Sequence, residues 1–194
     1  MIERENLRGL VVAGGRSKRM GRPKALLEYR DGLPQWKHAA MLLATRCSEV
    51  FVSLSAQSII EVEPPFKTLF DTETDQGPIH AWARASEIAP HCYWLCINCD
   101  LPRADIEMID SLLSSKSDHL ARAFMNPETQ FADPQCVLLS PDALTRLDDA
   151  YRWGMRTPRR FIAELPVHTL EPQRSEWLEG ANTPEDFIRI RDSI

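Results

Sequence analysis

The chain has 194 residues, with 23 lysines and arginines against 28 aspartates and glutamates, and its formal net charge is -5 at pH 7. This length suffices for one core, so we expect residues 1–194 to form a single domain, and the negative balance excludes a general nucleic-acid binder. No apolar run reaches the roughly 20 residues that span a bilayer, and the first residues lack the apolar core of a signal peptide, so we expect a cytoplasmic protein with no membrane partner.

Short apolar runs alternate with helical patterns along the first two thirds of the chain. Strands are predicted in LRGLVVA, SEVFVSL, FKTLF, CYWLCIN and HLARAF, and helices in PQWKHAAMLLATRC, GPIHAWARASEIA and ADIEMIDSLLSS. After Asn126 we expect a loop, a strand, a short helix that Ser140 caps, a basic turn leading to a helix, a short strand, and a last helix that Thr183 caps. Such alternation predicts an α/β fold with a mostly parallel sheet.

Three of the five cysteines, in CYWLCINCD, have the C-x3-C-x2-C spacing of some iron–sulfur sites. Because this segment is predicted to be a strand, Cys92 and Cys96 would point to one face of the sheet and Cys99 to the other. The three sulfurs could then not converge on one cluster. We therefore expect buried, unreactive thiols.

The first strand runs directly into a turn that contains Gly14 and Gly15 and is followed by basic residues. Adjacent glycines allow a ligand to approach the backbone closely, and successive N–H groups can bind phosphate oxygens. The turn lies where open parallel sheets bind ligands, beyond the carboxyl ends of the strands. It matches neither the dinucleotide-binding nor the P-loop pattern. We therefore predict a polyphosphate site of another kind, with a solvated basic loop as the alternative.

Two other strands are predicted to end in carboxylates, Asp71 after FKTLF and Asp100 in CINCDLP. Magnesium prefers one or two carboxylates together with phosphate oxygens, so this edge of the sheet predicts metal-assisted nucleotidyl transfer with Mg²⁺ as cofactor. The alternative for Asp100 is a turn-initiating residue before Pro102.

The segment VAGGRSKRMGRPKALL resembles the A-G-G-x-S-x-R-M-G-x-x-K-x-L-L motif of nucleotidyltransferases that activate molybdopterin and sugar phosphates. The later segments LFDT, DQGPIHA, CINCDLP, DPQCVLL and ANTPEDF resemble, in order and spacing, those of the molybdenum cofactor guanylyltransferase family, also called molybdopterin-guanine dinucleotide biosynthesis protein A. The resemblance covers nearly the whole chain. It implies a three-layer α/β/α sandwich with a Rossmann-like, mostly parallel sheet of the nucleotide-diphospho-sugar transferase type.

The resemblance also implies an activity: GMP is transferred from GTP to molybdopterin, pyrophosphate is released, and molybdopterin guanine dinucleotide forms. Molybdoenzymes or other cofactor-biosynthesis proteins are its implied protein partners. The implied catalytic residues are Arg19, Lys24 and Asp100, of which Asp100 binds Mg²⁺. The implied nucleotide contacts are Val12, Ala13, Gly14, Gly15, Lys24, Ser53, Asp71 and Asp100. The implied contacts to the second substrate are Gly77, Pro78 and Asn182.

The chain departs from the family pattern at several positions. Pro23 stands where the guanylyl enzymes usually have Asp, and Ser53 stands where Asn is typical. Gly180 replaces the first Asn of the usual Asn-x-Asn-Thr-Pro segment, and DPQ stands where His-Pro-Thr is common. The segment GRPK is frequent in the related cytidylyltransferases, whereas Ala-Gly-Gly with Gly-Pro favours guanine. Cytidylyl transfer, nucleotide transfer to a sugar phosphate, and a non-catalytic nucleotide-binding member therefore stay as alternatives.

Overall fold

The structure is a computed structural model and describes residues 2–15, 20–70, 78–115 and 118–194. Within these ranges the strands are β1 (Leu7–Val12), β2 (Glu28–Arg30), β3 (Leu33–Pro34), β4 (Glu49–Leu54), β5 (Lys67–Phe70), β6 (Tyr93–Asn98), β7 (Ala121–Met125), β8 (Ala132–Leu139) and β9 (Val167–Leu170). The α-helices are α1 (Gln35–Ala44), α2 (Ile79–Ile88), α3 (Ile106–Ser114), α4 (Pro141–Arg152), α5 (Pro158–Ala163) and α6 (Pro184–Arg191). Short 3₁₀ turns are formed by Arg4–Asn6, Lys24–Leu26 and Ser175–Leu178.

Seven strands form the central sheet in the order β5-β4-β1-β6-β8-β7-β9. Every neighbouring pair is parallel except the two that involve β8, which is antiparallel to both β6 and β7. The carboxyl ends of β4, β1 and β6 therefore meet at one edge of the sheet, here called the carboxyl edge. The prediction of a mostly parallel sheet is confirmed.

Helices cover both faces of this sheet. On one face, α1 and α3 pack against residues such as Val11 and Leu95. On the other face, α2, α4 and α5 pack against residues such as Leu10 and Trp94. Successive residues of β1 and β6 are thus buried on opposite sides, as they must be in a strand that is covered on both faces. The three-layer α/β/α architecture is confirmed.

The two faces also separate the cysteines of CYWLCINCD. Cys96 is buried in one core cluster and Cys99 in the other, as the strand interpretation predicts. Cys92 is only half-buried, so the expectation of burial is wrong for that residue. It precedes β6 and lies outside the covered part of the sheet.

Side-chain caps fix the starts of three helices. Asp105 accepts a hydrogen bond from Met108 N at the start of α3, and Ser140 accepts one from Ala143 N at the start of α4. Thr183 and Asp186 form a reciprocal capping box at α6. The caps at Ser140 and Thr183 were predicted, but α4 has 12 residues and is not the short helix expected.

A small antiparallel hairpin of β2 and β3 was not predicted. Its strands are too short for a period of two to be visible, and only the Asp31-Gly32 turn marks it; Gly32 has φ 67°, a conformation that glycine adopts without strain. β2 packs against α6 through a third apolar cluster formed by Met20, Leu27, Tyr29, Ala181, Phe187 and Ile190. Among the described helices, none has both the length and the apolar character that are needed to cross a bilayer.

Candidate active site

The glycine turn leaves β1 between the carboxyl ends of β4 and β6. Ala13 N donates to Ser53 O at 2.9 Å, and Cys99 N donates to Val12 O at 3.1 Å. These bonds hold the start of the turn on the sheet. A Cβ atom added to Gly15 would meet no atom of the described residues within 4 Å.

A cleft of about 470 Å³ lies over this turn. Its volume is within the range of small-molecule sites. Three of the described segments line it, namely Ala13–Gly15, Gly21–Pro23 and the residues that follow β4: Ser55, Gln57, Ser58, Ile59 and Ile60. Of the predicted nucleotide contacts, Ala13, Gly14 and Gly15 line the cleft, whereas Val12 and Ser53 lie in the strands that lead to it. Ser53 is buried and its carbonyl supports the turn.

Lys24, Asp100 and Asn182 meet beside the cleft. The Lys24 ammonium lies 2.9 Å from Asp100 Oδ2 and 2.9 Å from Asn182 Oδ1. The three residues come from the 3₁₀ turn after Pro23, the segment after β6 and the segment before α6, and are separated by 76 and 158 positions along the chain. The side chains of Lys24 and Asp100 are only 17% and 23% exposed, so this ion pair is partly shielded from water.

The second carboxylate oxygen of Asp100 has a different environment. Asp100 Oδ1 is buried and has no hydrogen-bond partner among the described residues. Burial, followed by the negative charge of Asp100, raises the pKa of the neighbouring Cys99 thiol. An unmatched buried carboxylate oxygen is costly in the free protein and is suited to a cation. The residue therefore fits a magnesium ligand.

The described residues contain no group of three or more histidine, cysteine, aspartate or glutamate side chains arranged to hold a metal. A magnesium ion at Asp100 would accordingly depend on phosphate oxygens and water for its other ligands. Such sharing with a substrate is the usual arrangement for Mg²⁺ in phosphate-handling sites.

Gly180 allows close packing behind Asp100. A Cβ atom at this position would lie 3.3 Å from Asp100 O and 3.7 Å from its carboxyl carbon. Gln135, which donates to Leu178 O at 3.2 Å, holds β8 against the same segment. The departures at Gly180 and in DPQ therefore occur together, since a Cβ atom at Gly180 would also lie 3.6 Å from Gln135 Oε1.

The cap of α6 positions Asn182. Asp186 Oδ2 accepts from Asn182 N and Thr183 N, each at 3.0 Å, while Thr183 Oγ1 accepts from Asp186 N at 3.2 Å. These bonds, that from Asn182 N first, lower the pKa of Asp186. The amide that contacts Lys24 is thus anchored by the helix start that the sequence predicted.

A second group of residues lies at the carboxyl edge on the other face of the sheet. Pro78 is the N-cap residue of α2, and in the first turn of that helix His80 Nδ1 lies 2.6 Å from the Tyr151 hydroxyl at the end of α4. The basic turn 152–160 follows directly. Arg156 lies over the Tyr151 ring, 4.7 Å from its centroid, and donates to Tyr151 O at 2.9 Å. The predicted basic turn therefore faces the same edge as Asp100.

The structure thus brings together Lys24, Asp100 and Asn182, and places the glycine turn beside them. Predictions for Arg19, Asp71 and Gly77 fall outside the described residues. Sequence reasoning missed Ser55, Gln57 and Ser58 in the lining of the cleft. Their position just after a predicted strand, at the carboxyl edge, was the available signal.

Comparison with known proteins gives a family match. A family model described as "MobA-like NTP transferase domain" matches residues 9–169. The chain is 30% identical over 193 residues to a molybdenum cofactor biosynthesis bifunctional protein of Synechocystis, covering 97% of this chain but 55% of that one. It is 28% identical over 186 residues to a molybdenum cofactor guanylyltransferase of Pseudomonas aeruginosa, covering 94% of this chain and 93% of that one.

Solved structures show the same fold at low identity. A molybdopterin-guanine dinucleotide biosynthesis protein A from Archaeoglobus fulgidus has a TM-score of 0.75 at 16% identity, covering 96% of this chain and 97% of that one. A 2-C-methyl-D-erythritol 4-phosphate cytidylyltransferase from Thermus thermophilus has a TM-score of 0.72 at 17% identity, covering 99% and 98%. Because nucleotidyltransferases with different substrates share this architecture, it does not choose between bases.

Proposed function

The chain belongs to the MobA-like NTP transferase family, and from that premise we propose that it joins GMP from GTP to molybdopterin. In this reaction an oxygen of the terminal phosphate of molybdopterin attacks the α-phosphorus of GTP, the bond from that phosphorus to the bridging oxygen breaks, and pyrophosphate leaves. The attacking phosphate is already an anion, so no strong general base is needed. Alignment and charge neutralisation then supply most of the acceleration.

The observation that carries the proposal is the contact of Lys24 with both Asp100 and Asn182 beside a glycine-lined cleft. We assign Ala13–Gly15 to the nucleotide, with Val12, Ser53 and Asp71 as further nucleotide contacts. Lys24 and Arg19 would offset charge on the triphosphate. Asn182, Gly77 and Pro78 are assigned to the molybdopterin side.

We assign Mg²⁺ to Asp100, whose buried and unmatched Oδ1 supports this choice. When bound, the ion would neutralise charge on the phosphates of the two substrates. The basic turn 152–160, at the same edge, supports a place there for the phosphate of the second substrate.

The proposal extends to the whole protein. One domain, 1–194, would carry both substrate sites, and molybdoenzymes or other cofactor-biosynthesis proteins would receive the product. Cytoplasmic location goes with this assignment, and the five free cysteines agree with a reducing compartment.

The test is pyrophosphate release from each nucleoside triphosphate, with and without molybdopterin and Mg²⁺. We expect release with GTP only when molybdopterin is present. Asp100→Asn, which keeps the shape but removes the charge, should reduce turnover more than tenfold, while Asp110→Asn, in an exposed pair with Arg46, serves as the control. Nucleotide binding without pyrophosphate release would instead indicate a non-catalytic member, and release with a sugar phosphate would indicate a different acceptor.

A further inference from the structure

The hydroxyl of Tyr29 is buried, and no residue in the described part of the chain forms a hydrogen bond with it. Tyr29 lies in β2 and is 5% exposed, and its ring packs edge-on against Phe187, with ring centroids 5.0 Å apart. Burying an unmatched hydroxyl is destabilising, so packing alone would favour phenylalanine here. The presence of tyrosine at this position therefore needs another explanation.

Charged groups of the candidate active site act on this hydroxyl. The pKa of Tyr29 is raised well above its usual value, first by burial and next by the negative charge of Asp100, with smaller effects from Cys99, Arg22 and Asp186. Of these groups, Asp100 contacts Lys24, and Asp186 accepts a hydrogen bond from Asn182 N. In addition, the apolar cluster that holds the ring of Tyr29 contains Ala181, the neighbour of Asn182. The ring of Tyr29 therefore packs against the segment that carries Asn182.

A second unmatched polar atom lies in the same site. Asp100 Oδ1 is also buried without a partner within the ranges that the structure describes, so the two oxygens do not satisfy each other. Two independent buried oxygens without partners, in a site that already contains a paired lysine, indicate that a polar ligand completes it. The glycine-loop motif ends at Leu27, so the family resemblance assigns no role to Tyr29.

We propose that Tyr29 is a further ligand-binding residue, whose hydroxyl hydrogen-bonds an oxygen of the magnesium–triphosphate complex at Asp100. This inference rests on the proposed function. The oxygen belongs either to a phosphate, to which the hydroxyl donates, or to a metal-bound water, from which it accepts. In both cases the ligand supplies the missing partner.

The test is Tyr29→Phe, which removes one oxygen and keeps the ring. Tyr93→Phe is the matched control, because Tyr93 begins β6 whereas Asp100 follows the end of that strand. Thermal unfolding of the free proteins and calorimetric titration with GTP and Mg²⁺ are measured. We expect the free Tyr29→Phe protein to be as stable as the wild type or more stable, because an unmatched hydroxyl is gone. Its dissociation constant should rise roughly tenfold, the effect of losing a hydrogen bond to a charged ligand, and that of the control by less than about twofold.

The two sources of the oxygen are separated by repeating the titration without Mg²⁺. A loss of affinity that persists indicates a phosphate oxygen, whereas a loss seen only with the metal indicates a metal-bound water; both support the inference. Unchanged affinity for GTP and Mg²⁺ in Tyr29→Phe would overturn it while leaving the proposed function intact. Lower stability of the free variant with unchanged affinity would show a structural role only. Failure of the wild type to bind GTP would overturn both proposals.

Discussion

Lys24 is held in place before any nucleotide binds. Its ammonium contacts the charged carboxylate oxygen of Asp100 and the neutral amide oxygen of Asn182. An ammonium fixed in a partly desolvated site needs little reorganisation to stabilise a developing negative charge, which is the main source of electrostatic catalysis. The same contacts explain why Lys24 and Asp100 are not interchangeable with surface charges.

Lys24→Ala should therefore reduce kcat/KM for GTP by about 10²–10³-fold, the scale of a lost donor in a preorganised anion site. Lys37→Ala removes a lysine that pairs with exposed Glu63 and should change kcat/KM by less than about twofold. Thermal unfolding of both variants verifies that they are folded, since Lys24→Ala also leaves the Asp100 carboxylate without its cation. Similar losses in the two variants would mean that the site responds to overall charge and not to this contact.

His38 provides a residue-scale prediction away from the site. It lies on α1, and its Nδ1 is buried with no hydrogen-bond partner from the described residues. Burial, followed by the charge of Arg30, lowers the pKa of His38 to about 4. Because the unfolded chain has a histidine pKa near 6.5, only the unfolded state binds this proton between about pH 6.5 and 4. The stability contributed by His38 is thus present above pH 6.5 and is lost as the pH falls towards 4.

Urea unfolding at pH 7.5 and pH 5 should show a loss of about 2 kcal/mol that is due to His38. His38→Gln, which cannot take up the proton, should remove that part of the difference. Carboxylates contribute little in this window, because their unfolded pKa values lie near 4. If the free energy of unfolding of His38→Gln falls as much as that of the wild type between pH 7.5 and pH 5, the pH dependence is due to other groups.

At the scale of elements, helix starts connect stability with the site. Thr183 caps α6 at the carboxyl edge beside Asn182, whereas Ser140 caps α4 at the opposite edge, where β8 ends. Both side chains accept one hydrogen bond from the first turn of their helix, so they form a matched pair.

Thr183→Ala and Ser140→Ala should each lower the free energy of unfolding by about 0.5–2 kcal/mol. Only Thr183→Ala should also reduce kcat/KM, by roughly tenfold, because the backbone that holds Asn182 loses half of its capping box. Denaturant unfolding and pyrophosphate release measure the two effects. Equal activities in two equally destabilised variants would show that the α6 cap does not position the site.

The elements themselves could largely be predicted from sequence, and the reasons are local. Apolar runs with the right period identify β1, β4 and β6, and Ser140-Pro141 and Thr183-Pro184 identify helix starts within one residue. The β2–β3 hairpin has no comparable pattern. Tyr29 was missed with it, since its burial depends on α6, more than 150 positions away in sequence.

At the scale of the whole molecule, strand direction explains why a site can be expected before its geometry is known. Parallel β4, β1 and β6 end at one edge, so residues that follow them converge there. The sequence could not predict which of these residues contact one another at that edge. The contact between Lys24 and Asn182, the burial of Asp100 Oδ1 and the packing at Gly180 depend on the long-range order of the chain.

The preference for one base can be measured on the whole molecule, because a bound nucleotide stabilises the entire fold against unfolding. The cleft of about 470 Å³ does not decide it by size. The turn Ala13-Gly14-Gly15 matches the guanine branch, whereas the cytosine branch usually has Ala-Ala-Gly.

With magnesium present, GTP at about 100 times its dissociation constant should raise Tm by about 5–10 °C, and CTP at the same concentration should raise it less. In Gly14→Ala, which reproduces the cytosine-type turn, the stabilisation by GTP should fall more than that by CTP, because Gly14 lines the cleft. Equal or stronger stabilisation of the wild type by CTP would assign the chain to the cytidylyl alternative, and an unchanged order of the two nucleotides in Gly14→Ala would show that this turn does not select the base.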